Sequence, residues 1–399
     1  MSADFSALRA QFPLLARELG GRRIAWLDNA STTPRPRAVL EALREYHEQY
    51  SANVHRGVHA LAAEASERFE AARDEVANFL GASSSEIVFT SGTTEAANLV
   101  AGALGLAPQD EVLLTGAEHH SNLLPWRQRC ATRVLELDER GTPLYAGLAG
   151  LFTPRTRLVA VHHASNVLGA IAPLREISAL AHARGIPVFV DGAQGAGHLA
   201  LDVRELECDF YAFSGHKLGG PSGSGALYAR EDWLERLAPQ RWGGGMVARV
   251  DAQGCELRSG PQRFEAGTPN VEGVLGLAAA LRLLREIGMP QVEQHGRELA
   301  RALLEERAHL PGVRLLGPVD AAARIPLVAL ALPPRGLDAE TAARTLSDAF
   351  GVLVSAGRHC AHPLHDACGV EATLRASAWV HNDLDDVRRF GEALRGLIA

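Results

Sequence analysis

The sequence predicts an α/β protein with a large domain built on a mostly parallel sheet and a smaller α/β domain beside it. Two patterns carry that reading. Across residues 85 to 230, short apolar runs ending in polar or glycine-rich turns alternate with helix-like stretches, which is how a chain of βαβ units reads. After residue 271 the order changes to two long helical stretches followed by several strand-like segments, the mark of a second layer. The length of 399 residues also exceeds the roughly 250–300 residues that one core usually serves. The expected division is a large domain over residues 20–285 and a small domain made of residues 1–19 and 286–399.

In chain order, EIVFTSG, DEVLLTGAE, RLVAVHHAS, IPVFVDGAQ and CDFYAFSGH each have the length of a strand. EAANLVAGALG and REISALAHARG lie between them as helices. Ligands of an open parallel sheet bind beyond the carboxyl ends of its strands, and the polar residues of these runs sit at those ends. VEGVLGLAAALRLLREIG then forms a long helix, Met289 and Pro290 punctuate the chain, and QVEQHGRELARALLEERAHL forms another. VRLLG, IPLVALAL, VLVSAG and TLRASAWV follow as strands. The last helix, DLDDVRRFGEALRGLI, begins with carboxylates that suit a helix N-terminus.

A net charge of -7 and a pI near 6.2 argue against nucleic-acid and membrane partners, which need clustered cations. Five scattered cysteines, Cys130, Cys208, Cys255, Cys360 and Cys368, make no disulfide framework and predict a cytoplasmic protein. The N-terminal stretch carries Asp4 and broken apolar runs, unlike a secretory leader. No window approaches the ~18 apolar residues of a membrane helix.

Three stretches hold groups suited to one cofactor. FTSGTTEAANLV puts Gly92, Thr93 and Thr94 at a strand-to-helix turn, where hydroxyls and helical amides can hold an anion; an ordinary helix cap reads the same way. Asp191 ends the apolar run IPVFV, and a carboxylate there needs a partner such as a protonated pyridine nitrogen, a helix cap or a metal. FSGHKLGGPSGSGALY places Lys217 after an apolar strand, flanked by Ser214 and His216. A partly desolvated lysine can form a Schiff base, although a surface lysine is the plain alternative. Together the three match the needs of pyridoxal 5'-phosphate (PLP). Neither GPSGSG nor FTSGTT fits a dinucleotide or Walker fingerprint.

SAGRHCAHPLHDACG packs His359, Cys360, His362, His365 and Cys368 together. Zinc is one reading and a nucleophilic thiol the other. The spacing fits no usual structural zinc pattern, so no metal is expected. His359, His362 or Arg358 could supply a cation that favours the thiolate.

The segments WLDNASTTPRP, NVHRGVHAL, FTSGTTEAANL, EHHSNLLPW, SNVLG, VDGAQ, FSGHKLGGPSG, RFEAGTPN, GRHCAHPL and LRAS run through nearly the whole chain. In that order the sequence resembles the class V aminotransferases, specifically the SufS-like (type II) cysteine desulfurases, with selenocysteine lyase as a close relative. The resemblance implies a homodimeric fold-type I PLP-dependent transferase that takes L-cysteine, or a related β-substituted amino acid, and hands sulfur to an acceptor protein. It implies that Lys217 holds the cofactor and moves protons, Asp191 pairs with the ring nitrogen, and His119 stacks on the ring. Gln194 and Asn166 would contact the ring hydroxyl side. Thr93, Thr94, Ser214 and His216 would hold the phosphate, with Thr268 reaching it from a neighbouring subunit. Arg375 would clamp the substrate carboxylate, Asn166 would also contact the substrate, His55 and Arg56 would line the substrate entrance, and Cys360 would receive the sulfur.

The chain departs from the family pattern at LRAS, where Leu374 replaces the more usual cysteine and leaves Arg375 intact, and at a loop, where the cation falls at Arg358 rather than near the loop's start. That leaves a PLP-dependent C–S lyase or selenocysteine lyase as an alternative on the same scaffold, and a metal-binding or sulfur-carrier protein as a remote one. His120, His162, His163, His182, His198 and His381 receive no role, and Cys130, Cys208 and Cys255 read as buried or inert thiols.

Overall fold

The computed structural model describes residues 5–333 and 336–398. Its large sheet has seven strands: β1 (Ile87–Thr90), β2 (Glu111–Thr115), β3 (Ala131–Leu135), β4 (Thr156–His162), β5 (Val188–Asp191), β6 (Phe210–Ser214) and β7 (Gly225–Ala229). Their order across the sheet is β1-β7-β6-β5-β4-β2-β3. β7 runs antiparallel to both of its neighbours and every other pairing is parallel. Six strands therefore point their carboxyl ends the same way.

The apolar runs are continuous because both faces of the sheet are covered. Val188 and Val190 of β5 enter one core while Phe189 between them enters the other. The two strands that the sequence reading did not single out are the atypical ones. β3 is an edge strand whose residues are mostly accessible and include Arg133, so it lacks an apolar run. β7 follows a glycine-rich turn without a helix, as an antiparallel return allows.

Helix α1 (Arg37–Gln49) and helix α2 (Ala60–Leu80) pack on a later long helix. Helix α3 (Thr93–Ala103) follows β1 directly, and the later helix is α4 (Val271–Ile287). Gly288, at φ +89°, turns the chain straight into helix α5 (Met289–Ala308). Met289 and Pro290 thus begin this helix rather than separating two, and proline is at home in a first turn.

A second sheet of β8 (Arg314–Leu316), β9 (Leu327–Ala331), β10 (Ser355–Gly357) and β11 (Thr373–Ser377) has the order β8-β9-β11-β10 and is antiparallel throughout. The run VLVSAG divides. Val352–Leu353 pairs in parallel with Ala25–Trp26 near the N-terminus, and only Ser355–Gly357 joins the second sheet. Ala25 and Leu27 lie in this sheet's core with Leu299, Leu346 and Phe390. No helix among the described residues is long and apolar enough to cross a membrane, and the five cysteines are free.

Candidate active site

The carboxyl ends of the parallel strands open on a cleft of about 440 Å³ that the second sheet closes from the other side. Its polar wall begins after β1. Gly92 turns the chain at φ +145°, and a Cβ there would lie 2.8 Å from Ser214 Oγ, so only glycine fits. Ser214 Oγ accepts the Thr93 N–H at 2.9 Å and lies 3.0 Å from Thr93 Oγ1. Thr94 Oγ1 lies 2.7 Å from Ser121 Oγ. Hydroxyls gathered at the start of an α-helix make an anion cup. His216 borders it; burial, then the Lys217 and Arg35 charges, holds its pKa down at about 4, so it is a neutral hydrogen-bonding group.

Deeper in the cleft, Asp191 ends β5 and accepts the Ala193 N–H at 2.9 Å. Burial raises its proton affinity, while the Ala193 N–H and the Lys217 charge oppose that rise. Lys217 follows β6, and burial of its ammonium lowers its pKa to about 8 against the pull of Asp191. His119 lines the same space. Burial, helped by the Lys217 charge, depresses its pKa to about 3, and its Nδ1 accepts the Ser121 N–H at 3.0 Å. The ring is neutral and presents an uncharged face. Gln194 donates to the Ala30 carbonyl at 2.9 Å, and Asn166 donates to the His359 carbonyl at 2.8 Å.

Arg375 projects from β11 of the second sheet. Its Nη1 donates to the Asn166 carbonyl at 3.0 Å and its Nη2 to Ser31 Oγ at 2.6 Å, with Asp28 Oδ1 at 3.5 Å. Its Nε is buried and has no partner among the described residues. A guanidinium held on one side with a donor spare is suited to a bound carboxylate.

Sequence reasoning gave His162 no role, yet it lines this cleft. It ends β4 as the register partner of Asp191. Its Nδ1 lies 2.8 Å from Glu118 Oε1, and Glu118 also accepts from Thr115 at 2.6 Å and Asn122 at 2.7 Å. Nε2 is buried with no partner. Burial pulls the His162 pKa down, but the Glu118 carboxylate outweighs it and raises the value overall. The missed signal was position: His162 ends its apolar run just as Asp191 ends the next.

Cys360 is exposed at the cleft rim. His359 and Cys360 have φ of +47° and +54°, a region costing non-glycine residues of order 1–2 kcal/mol each. The expectation that His359 offers a cation to the thiol is corrected. Burial and the Arg375 charge push its pKa down to about 2, so its imidazole is neutral. Arg358 is ion-paired with Asp366. No three His, Cys, Asp or Glu side chains among the described residues converge as metal ligands.

Three expected site residues lie away from this chain's own cleft. Thr268 borders a separate recess with Thr90, Gly223 and Arg241. His55 pairs with Glu70 at 3.3 Å, and Arg56 lies against Gly244. Cys255 is exposed on the hairpin Val247–Leu257 rather than buried, because that hairpin stands away from both cores.

The sequence pattern described as aminotransferase class-V matches residues 25–390. The chain belongs to that family. A cysteine desulfurase of Klebsiella pneumoniae is 42% identical to this class-V member over 405 residues, covering 99% of this chain and 98% of the relative. The apo structure of the cysteine desulfurase from Thermococcus onnurineus superposes with a TM-score of 0.94 at 37% identity, covering 100% of this chain and 99% of the other. A C-DES mutant with glycine covalently linked to its PLP cofactor gives a TM-score of 0.84 at 25% identity, covering 98% and 99%. The α/β fold expected from the sequence is therefore that of PLP-dependent family members.

Proposed function

We propose that this class-V family member is a PLP-dependent cysteine desulfurase that converts L-cysteine to L-alanine and leaves the sulfur on Cys360 as a persulfide. The observation that carries the reading is the convergence of Lys217, Asp191, Arg375 and Cys360 on one cleft.

The residues present fit PLP. Thr93, Thr94, Ser214 and His216 would hold its phosphate, Asp191 its ring nitrogen, His119 its ring face, Gln194 and Asn166 its hydroxyl side, and Lys217 its aldehyde carbon. When bound, PLP supplies a sink for the negative charge that develops at the substrate Cα. Lys217, with a pKa of about 8, holds or releases a proton near neutral pH and so can move protons between the substrate Cα and Cβ. The Arg375 guanidinium orients the substrate carboxylate. Cys360 Sγ, as thiolate, takes the sulfur. In the net reaction the substrate Cβ–S bond breaks, an S–S bond forms at Sγ and Cβ gains a proton, so no outside oxidant is required.

A second copy of the chain completes this reading. Val58 is fully exposed, and Trp242 and Val250 are 63% and 65% exposed. Arg56 against Gly244 joins the two segments that carry Val58 and Trp242. Pairing through that apolar surface gives a homodimer, in which Thr268 serves the neighbouring phosphate cup and His55 and Arg56 flank the neighbouring entrance. An exposed Cys360 suits delivery to an acceptor protein, and five free thiols suit a reducing cytoplasm. The test is an assay of alanine and Cys360 persulfide from cysteine. The reading fails if Cys360→Ala releases sulfide and alanine from cysteine at the full rate.

A further inference from the structure

We propose that His120 is a positioning residue for Cys360, clasping the loop backbone directly after the thiol, on both sides of Ala361, and so fixing Sγ at the cleft rim. The assignment rests on the sulfur-accepting role of Cys360 for its meaning in catalysis, but its geometry stands independently of that role. The His120 amide donates to the Cys360 carbonyl at 2.8 Å. The His120 Nε2 accepts the His362 N–H at 3.3 Å. The two imidazole rings lie 4.7 Å apart, tilted by 48°. One residue thus binds the chain at positions 360 and 362, the two sides of Ala361.

That segment needs such a hold. Consecutive non-glycine residues in the left-handed region, His359 and Cys360, persist only where their surroundings over-determine the backbone. The other anchors act elsewhere on the loop. Asn166 donates to the His359 carbonyl at 2.8 Å. His359 and His365 place their Nε2 atoms 3.1 and 3.2 Å from Thr373 Oγ1. His365 Nδ1 lies 3.0 Å from the Ala361 carbonyl, and His120 takes the next amide along, that of His362.

The bond requires a lone pair on Nε2 and hence a neutral ring with its proton on Nδ1. Burial, then the neighbouring His362, lowers the His120 pKa and favours that form. His120 also begins the short turn His120–Asn122 that follows His119. The turn that presents the uncharged His119 ring to the cleft therefore also holds the thiol loop, which couples cofactor pocket and nucleophile through adjacent residues.

The test uses the PLP-loaded full-length protein with His120→Phe, which keeps a ring but loses the acceptor, and His120→Gln, whose amide oxygen can accept. His362→Ala removes the neighbouring tilted ring and keeps the donor amide. Peptide-resolved hydrogen exchange over residues 358–363 reads the clasp directly, and single-turnover persulfide formation with KM for cysteine reads its effect. In His120→Phe, exchange of the loop rises about tenfold and persulfide formation falls about 10–100-fold, as expected for a reacting atom displaced by about 1 Å, with KM and the cofactor's visible band retained. His120→Gln recovers most of both losses, and loop exchange in His362→Ala stays near the parent.

Unchanged exchange in His120→Phe overturns the proposal. So does equal opening in the Phe and Gln variants, or opening in His362→Ala as large as in His120→Phe, because either assigns the hold to ring packing. If the Phe variant does not fold, His120→Gln against His120→Asn makes the same comparison, Asn being too short to reach the amide. A clasp confirmed by exchange in a protein whose Cys360→Ala variant retains full sulfide release would leave His120 in place and refute only the desulfurase role of Cys360.

Discussion

His162 and Asp191 are register partners at the ends of adjacent parallel strands, so a buried imidazole and a buried carboxylate stand side by side in one cleft. Glu118 grips the far side of that imidazole at 2.8 Å. The floor of the cleft is therefore a short row of titratable groups whose charges depend on one another. Glu118 acts on Asp191 against the influence of His162 and Lys217, which makes the imidazole the counterweight that the row requires.

Removing that counterweight destabilises the fold. His162→Gln leaves the Glu118 carboxylate buried without a cation, which costs about 3–5 kcal/mol for pairs of this kind. The His162 pKa is raised above its ordinary value, so its stabilisation is complete below that ordinary value and is lost as pH rises through the raised one. Urea unfolding of parent and variant should differ most at mildly acidic pH and converge in alkali. A difference that grows with pH would contradict the assignment.

Lys217 titrates where most lysines do not. Burial brings its pKa to about 8, so the apo-protein should recapture PLP at a rate that climbs with pH and levels above about 8, since the free amine is the nucleophile. Stopped-flow absorbance measures this directly. A rate still rising at about pH 10 would place the amine in water. Lys217→Ala should abolish the covalent adduct and reduce turnover by at least about 10²–10⁴-fold, the usual worth of a positioned proton-transfer group.

Much of the cleft was legible because parallel strands end in the same direction. Asp191 and Ser214 each close an apolar run, so the pattern that predicts the strand also places the polar residue at the cleft. The same logic covered His162, but the doublet with His163 hid which imidazole faced the cleft, and only the pairing with β5 separates them. The hold of His120 on residues 360 and 362 joins segments about 240 residues apart and leaves no local periodicity to read. Strand β3 escaped because an edge strand need not be apolar. Thr268, His55 and Arg56 fall outside their own chain's cleft, and only in the proposed homodimer would they meet a cleft, that of another copy.

Arg375 should not tolerate lysine. Its fixed bonds to Asn166 and Ser31 leave Nε buried and unpartnered, and an ammonium cannot reproduce that fork. Losing one charge-assisted bond of about 1.5–3 kcal/mol should lower kcat/KM for cysteine about 10–100-fold in Arg375→Lys. Most of the loss should appear in KM if the clamp binds ground and transition states alike. Steady-state kinetics decides, and an unchanged KM with an equal fall in kcat would move Arg375 from substrate binding to the chemical step.

Arg73 and Glu265 test the scaffold beneath the site. Arg73 on α2 is buried and donates to Glu265 at 2.7 and 2.9 Å, while Glu265 also accepts the Phe89 N–H of β1 at 2.7 Å. Burial opposes the Arg73 charge, but the Glu265 bonds more than offset it and raise its pKa. One ion pair thus ties α2, β1 and the segment carrying Thr268. Arg73→Met removes the cation, keeps apolar bulk and strands the carboxylate, and should cost about 3–5 kcal/mol. Adding Glu265→Gln should restore much of that loss, because the amide oxygen still accepts from Phe89 and no buried charge remains unpaired, Glu70, the other carboxylate on Arg73, being exposed to water. A double-mutant cycle by urea denaturation gives the coupling directly. Additive losses in the two single variants would mean that the residues are held by packing independently of their contact.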